Sequence, residues 1–326
     1  MAQGTNRAVS RRRLLAGSVA GAAGLAGVAA AGSATRTPRT VSDTRPAAAG
    51  GVRLRWLGNN GWEIRFDTSN GTRTVLIDPW LTRFHTGTYS TAGADPNTPI
   101  TVDTATIDRY ALKADHILVT HGHYDHMTDV PYLASRTGAT VLGTESHVNM
   151  MRALGAPADQ LSVVRGGEYL ECDGYTIRVL RSLHSMTGPR AQVPFPGTRP
   201  GAPPRRPRVI SDLVEGETLA YLVTVGDVGV VDFGGSNFSA ADLAGVRPTV
   251  ALVPAGGGSI HSYVPRLLDA LGHPGLVLPT HWDDFDYPLD QPARDWGGLS
   301  TLHSAVTAAS PDARFTVLDH LETITV

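Results

Sequence analysis

Thr120-His121-Gly122-His123-Tyr124-Asp125-His126 places three imidazoles and one carboxylate within six residues. The segment follows Ile117-Leu118-Val119, a brief apolar run of the kind that forms a buried strand. Past the end of a strand the chain turns, so side chains two positions apart are no longer held on opposite faces. Clustered imidazoles desolvate one another, and a buried carboxylate among them is costly unless it is paired. A divalent cation relieves both problems, because neutral imidazole and carboxylate are ligands for zinc and related metals. The bland alternative is a solvated, histidine-rich turn. The single cysteine, Cys172, excludes an internal disulfide and a cysteine-based zinc site, and reads as a small buried hydrophobe on a strand.

The elements around this cluster come in two groups. Strand-like runs at 52–57, 62–66 and 74–77, divided by turns at 58–61 and 69–71, open the domain as a β-meander. Strands at 117–120 and 139–142 follow, with helices over 129–135 and 145–154. The second group of strands covers 161–164, 169–172, 175–180, 219–225 and 228–231. Then come a strand at 250–253, a helix over 263–271, a strand at 276–278, a helix over 299–308, and closing strands at 315–318 and 323–326. Two groups of strands with interspersed helices predict two sheets covered by helices, an α/β sandwich forming one domain over 51–326.

H-x-H-x-D-H after an apolar strand resembles the metal motif of the metallo-β-lactamase superfamily. The likeness extends over most of 51–326, through "LRWLGNNGWEIRF", "VLIDPWL" and single residues farther on. It implies a four-layer αββα sandwich with metals at one edge between the sheets. His184 in "VLRSLHS", Asp232 in "GVVDFGG" and His281 in "LVLPTHWDDF" stand where the family has its remaining ligands. The resemblance implies one metal on His121, His123 and His184, and a second on Asp125, His126 and His281, with Asp232 bridging. Zinc is the first expectation, and manganese and iron suit the same ligands. Two such ions would share a water, lower its pKa and supply a metal-bound hydroxide as nucleophile, so Asp125 and Asp232 also count as catalytic.

Further residues have two readings each. His261 follows the glycine-rich stretch 255–259, which in this fold faces the metals. His261 or Tyr263 would there touch substrate or protonate a leaving group; otherwise they only begin a helix. Asp78 in "LIDPWL" matches an early aspartate that supports metal histidines, and reads equally as a turn residue before Pro79. His85, His116, His147, His273, His303 and His320 read as surface or packing residues. Residues 187–212 hold seven prolines and five arginines without periodicity, which predicts a long loop. Starting three residues after His184, it is expected over or beside the pocket as a selector of substrate, its arginines suited to a negative group. A solvated surface insertion is the alternative.

Two departures narrow the class. His123 stands where the family's oxygen-reducing di-iron branch has Glu, which disfavours redox chemistry. Asp232 stands where common zinc β-lactamases have Cys, which disfavours antibiotic hydrolysis. "THGHYDHM" and "PTHWDDF" resemble the branch holding sugar-lactone hydrolases and N-acylphosphatidylethanolamine phospholipase D-like enzymes. The implied activity is dinuclear metal-dependent hydrolysis of a small ester, lactone, amide or phosphodiester. The alternatives are a phospholipase D-like lipid phosphodiesterase and a non-catalytic metal-binding protein.

The N-terminus reads as an address. Ser10-Arg11-Arg12-Arg13-Leu14-Leu15 precedes an uncharged Gly/Ala-rich run, with A-x-A-like sites at Ala29–Ala31 and Ala34. A twin-arginine signal over 1–34, a linker over 35–50 and a periplasmic or extracellular mature protein are expected, without a stable membrane anchor. Removing the four arginines of 1–34 leaves 24 basic against 30 acidic residues, a net charge of −6. That balance disfavours nucleic acid and points to a small-molecule substrate, leaving oligomeric state open.

Overall fold

The computed structural model describes residues 50–326. The expected signal segment 1–34 and linker 35–50, Gly50 excepted, lie outside the described residues. The chain runs β1 (Arg53–Trp56), β2 (Trp62–Thr68), β3 (Gly71–Ile77), α1 (Thr104–Arg109), β4 (His116–Leu118), α2 (Tyr124–Met127), α3 (Val130–Thr137), β5 (Thr140–Gly143), α4 (Glu145–Leu154) and β6 (Leu161–Val163). It continues with β7 (Tyr169–Cys172), β8 (Tyr175–Arg181), β9 (Leu219–Val225), β10 (Val228–Asp232), β11 (Val250–Pro254), α5 (Tyr263–Leu271), β12 (Leu276–Thr280), α6 (Leu299–Ala309), β13 (Arg314–Phe315) and β14 (Thr323–Thr325).

These strands form two seven-stranded mixed sheets, ordered β14-β1-β2-β3-β4-β5-β6 and β13-β12-β11-β10-β9-β8-β7. Parallel pairing joins β3 to β4, β5 and β6 in the first sheet, and β10 to β11, β12 and β13 in the second. Side-chain alternation assigns each face. In β3, Val75 and Ile77 enter the core between the sheets, while Leu76 joins a separate cluster under the helices. Leu118 against Ile117 in β4, and Leu142 against Val141 in β5, divide the same way. Leu133 of α3 and Met150 and Met151 of α4 cover that outer cluster. On the second sheet, Leu267, Leu268 and Leu271 of α5 and Leu302 and Val306 of α6 complete the main core. The result is the expected αββα sandwich.

Local signals fix the helices that flank the site. Helix α4 opens on a capping box between Thr144 and His147 and closes on Gly155 in the left-handed region. Helices α1 and α2 were not expected: with six and four residues they are too short to show a helical period. The closing strand expected at 315–318 shrinks to Arg314–Phe315, because β12 pairs with it only at Leu276 and Val277. Cys172 is half-buried on the edge strand β7, less enclosed than its reading as a core residue.

Candidate metal centre

Every ligand expected from the sequence, Asp232 included, lies at or just beyond the C-terminal end of a strand, at one edge of the sandwich. Strand β4 leads through Val119 and Thr120 to His121, and His123 is the N-cap of α2, so Asp125 and His126 fall in its single turn. His184 lies three residues beyond β8, Asp232 is the last residue of β10, and His281 directly follows β12. The tight path at Gly122 needs glycine: a Cβ there would lie 2.4 Å from Val214 O and from Met150 Cε.

The ligand atoms gather in two trios. His121, His123 and His184 form one, and Asp125, His126 and His281 the other, with the atoms of each within 4.8 Å of one another. His184 Nε2 lies 3.1 Å from His121 Nε2. Since His184 Nδ1 donates to the carbonyl of Ser185 at 2.7 Å, its Nε2 offers a lone pair. His123 Nε2 is buried without a hydrogen-bond partner. Burial pushes the imidazole of His121 well down, that of His123 down to about 3 and that of His184 down to about 4. Three neutral imidazoles with nitrogens gathered at one point are the donor set of a metal.

The second trio carries the charge. His126 Nε2 lies 3.2 Å from Asp125 Oδ2, and His281 Nε2 lies 3.4 Å from the same oxygen. Burial opposes protonation of His126, but Asp125 and Asp78 outweigh it and raise its pKa to about 10. Burial likewise opposes charge on Asp125, and His126 and His281 reverse that and hold its carboxyl well below the usual range. This arrangement demands a cation between imidazole and carboxylate, which a proton or a divalent metal satisfies.

Asp78 resolves as a support. It is fully buried at φ +41°, and its carboxylate accepts from Thr120 N at 2.8 Å, Asn60 Nδ2 at 2.9 Å, the Thr120 hydroxyl, and His126 Nδ1 at 2.7 Å. Held at Nδ1, the imidazole turns Nε2 towards Asp125. Asp232 belongs to neither trio: both its oxygens lie 3.0 Å from Asn60 Nδ2, and Oδ1 also accepts from Gly234 N at 2.9 Å. Burial, then the nearby Asp78, raise its pKa to about 7.

His261 departs from its expected role. It is exposed, outside the cavity wall, and its Nε2 meets only the neighbouring Ser262 hydroxyl at 3.4 Å. Tyr263 is buried in the core, where its ring lies beside Phe238, and its hydroxyl reaches Pro254 O at 3.4 Å. The turn between β11 and α5 carries both side chains away from the ligands.

Residues 53–281 match a family described as a β-lactamase superfamily domain. The chain is 30% identical over 313 residues to a UPF0173 metal-dependent hydrolase of Myxococcus xanthus, covering 93% of this chain and 96% of that protein. It is also 30% identical over 238 residues to a namesake from Pyrobaculum islandicum, covering 72% and 85%. Among solved structures, the metallo hydrolase Igni18 of Ignicoccus hospitalis superposes with a TM-score of 0.53 at 21% identity, over 84% of this chain and 98% of that one. The chain belongs to the β-lactamase superfamily. It is a metal-dependent hydrolase with the metallo-β-lactamase fold.

In this superfamily member both trios open into a cavity of about 670 Å³, a size typical of small-ligand sites. A larger one, about 980 Å³, opens beside Arg53, Arg55 and Arg65 with none of the ligands in its wall. The loop 187–212 divides in two. Thr187, Gly188, Pro194 and Phe195 line the ligand cavity, and the Phe195 ring stands 5.9 Å from that of His123. The arginine-rich half leaves the pocket for α4: Arg199 N donates to Ser146 Oγ at 2.9 Å, and Arg206 Nη1 to Leu154 O at 2.9 Å. None of the loop's five arginines lines the cavity, so the expected anion-selecting charge is not there.

Sequence reasoning missed Asn59 and Asn60, read only as turn residues. The turn is real, with Gly61 N donating to Gly58 O at 2.8 Å, but both amides point inward and are buried. Asn59 Nδ2 donates to Asp125 O at 2.7 Å and to its Oδ2 at 3.2 Å, and Asn59 O accepts from His281 N at 2.8 Å. Asp283, also missed, accepts from Asn59 N at 2.8 Å and lies between Arg83 and His320. His320 is therefore no surface histidine: its Nδ1 donates to Gln291 O at 2.7 Å and its ring packs 5.3 Å from Trp56.

Proposed function

We propose that this chain is an exported dinuclear hydrolase that opens a small ester, lactone, amide or phosphodiester with water. The observation that carries the reading is the pair of adjacent ligand trios at the floor of one cavity. His121, His123 and His184 would hold one divalent ion, and Asp125, His126 and His281 a second. Asp232, coupled through Asn60 to Asp78 and through it to His126, is the residue that would bridge the two. When bound, such a pair of ions supplies acidification of a water and polarisation of the electrophile, with zinc, manganese and iron all matched to these donors.

The chain's own residues do the rest. Asp78 fixes the tautomer of His126, and the Ser185 carbonyl fixes that of His184, so both present Nε2 without reorganisation. Asn59 holds the Asp125 carboxylate and the His281 backbone in register. In the reaction the water oxygen bonds to carbon or phosphorus, that atom's bond to the leaving oxygen or nitrogen breaks, and one water proton ends on the leaving group. Export rests on Arg11 and Arg12 and the Gly/Ala run that follows them.

The test is metal content and turnover together. The purified mature protein should hold two metals per chain and hydrolyse ester or phosphodiester reporters, and chelation should abolish turnover until metal is restored. Turnover that survives complete metal removal refutes the reading.

A further inference from the structure

We propose that the substrate is a neutral carboxylic acid derivative, an ester, lactone or amide, carrying a flat apolar group that seats on an aromatic wall beside His281. The inference rests on the hydrolase reading above and chooses within it. Two observations carry it, the charge of the cavity wall and the anchoring of its aromatic part.

Among the described residues no Lys or Arg lines the cavity, and its only carboxylate, Asp125, is a proposed ligand. A phosphodiester carries a permanent negative charge that here only the proposed ions could meet, whereas sites that grip such a group beyond its metals add bidentate arginine or lysine. The remaining polar lining is hydroxyl-bearing, Ser185, Ser236 and Ser259 among others, suited to a neutral carbonyl compound.

The aromatic wall consists of Tyr89, Phe285 and Trp296. Tyr89 and Trp296 stack with centroids 5.7 Å apart and planes at 9°, and Phe285 meets Tyr89 edge-on at 4.9 Å. Trp296 Nε1 donates to the carbonyl of His281 at 3.0 Å, and the Phe285 ring stands 5.9 Å from the His281 imidazole. The wall is thus tied through Trp296 to the backbone of a proposed ligand. Trp296 is 36% exposed, which leaves its ring within reach of an arriving molecule. Flat apolar groups gain both burial and ring-on-ring contact on such a surface.

Binding can be measured apart from catalysis. Calorimetric titration of the chelated protein with benzyl methyl ketone, a neutral aryl carbonyl compound, should show saturable binding that weakens at least tenfold in Trp296→Ala. Phenyl phosphate should bind the same protein at least tenfold more weakly than the ketone. In the metal-loaded enzyme, the ratio of kcat/KM for phenylacetyl over acetyl esters should exceed ten and collapse in Trp296→Ala. Undiminished ketone binding in Trp296→Ala, tighter binding of the phosphate, or preferred turnover of bis(4-nitrophenyl) phosphate would each overturn the proposal. Ketone binding that behaves as stated in a protein without hydrolytic activity supports the aromatic subsite and refutes the hydrolase reading alone.

Discussion

Replacing Asp78 by Asn tests whether a buried carboxylate that touches no substrate governs the second metal position. Asp78 accepts four hydrogen bonds, three of them on Oδ2, from Asn60, the Thr120 hydroxyl and His126 Nδ1. An amide of the same shape keeps one acceptor and turns the other into a donor. If its NH2 takes the Oδ1 position, it opposes the backbone N–H of Thr120, which cannot rotate away. If it takes the Oδ2 position, it opposes Asn60 and His126, and the neutral, metal-binding imidazole can respond only by carrying its proton on Nε2. Nε2 then faces Asp125 carrying hydrogen and has no lone pair for a metal. One buried donor left without an acceptor costs about 1–3 kcal/mol, so the chelated protein should lose roughly that much stability in urea. Loss of a carboxylate behind a ligating histidine typically weakens metal binding about 10–100-fold. Competition against a chromophoric chelator should show that loss chiefly for one equivalent of zinc, because Asp78 bonds His126 directly and meets the other trio only through the Thr120 hydroxyl beside His121 Nδ1. Two equivalents bound with parental affinity would refute the reasoning.

In the metal-free protein, His123, His147 and His184 have pKa values lowered by burial to about 3, 4 and 4, so only the unfolded chain takes up their protons below pH 6.5. Stability should fall as the pH drops from about 6.5 towards 4, by up to about 1.4 kcal/mol per pH unit for each such histidine, while Asp129 and Asp232, raised by burial to about 6 and 7, act in the opposite sense and reduce the net slope. His126 is raised to about 10, so its contribution is complete below pH 6.5 and is lost as the pH rises towards 10. Urea unfolding of chelated protein across pH 4–10 should therefore show a maximum near pH 6.5, and a flat profile would contradict both shifts. Asp232→Ala should reduce metal content from two per chain towards one by elemental analysis; full content with full turnover would remove Asp232 from the site. Changing Arg11 and Arg12 to Lys should leave the protein inside the cell, and unchanged export would show that the arginine pair is not the address.

The candidate positions were legible because strand ends are local features: an apolar run followed by His or Asp marks the place where a buried strand delivers a side chain to the sheet edge. His121, His184, Asp232 and His281 all meet that description. The fold followed from period-two burial, as at Val75, Leu76 and Ile77. Asn59 and Asn60 escaped because a Gly-Asn-Asn-Gly turn usually faces water, and nothing local shows that Asp78, Asp125 and Asp232 will be packed against it. His261 misled for the converse reason: a glycine-rich loop beside the metal edge does line the cavity, but its last glycine precedes His261 by three residues, far enough for the side chain to leave it.

The same contrast bears on how such a site can change. The proposed ligands sit at or beyond strand ends whose registers are set by parallel pairing of β3 with β4, β10 with β11 and β11 with β12, and by antiparallel pairing of β8 with β9, so displacing one disturbs the core between the sheets. The substrate wall is drawn from positions 89, 195, 285 and 296, on segments outside every strand and helix. Those segments are tied to the frame by, among other bonds, Trp296 to His281 O and Trp282 O, Arg83 to Phe285 O, the backbone of Phe195 to Glu215 N, and Asp286 to Thr86 and Gly87. Of these bonds the one from Trp296 Nε1 ends on the backbone of a proposed ligand, and the others do not. Substitutions on the wall should therefore redistribute kcat/KM among substrates while metal content stays at the parental value, whereas substitutions at Asp78 or Asn59 should change metal binding first.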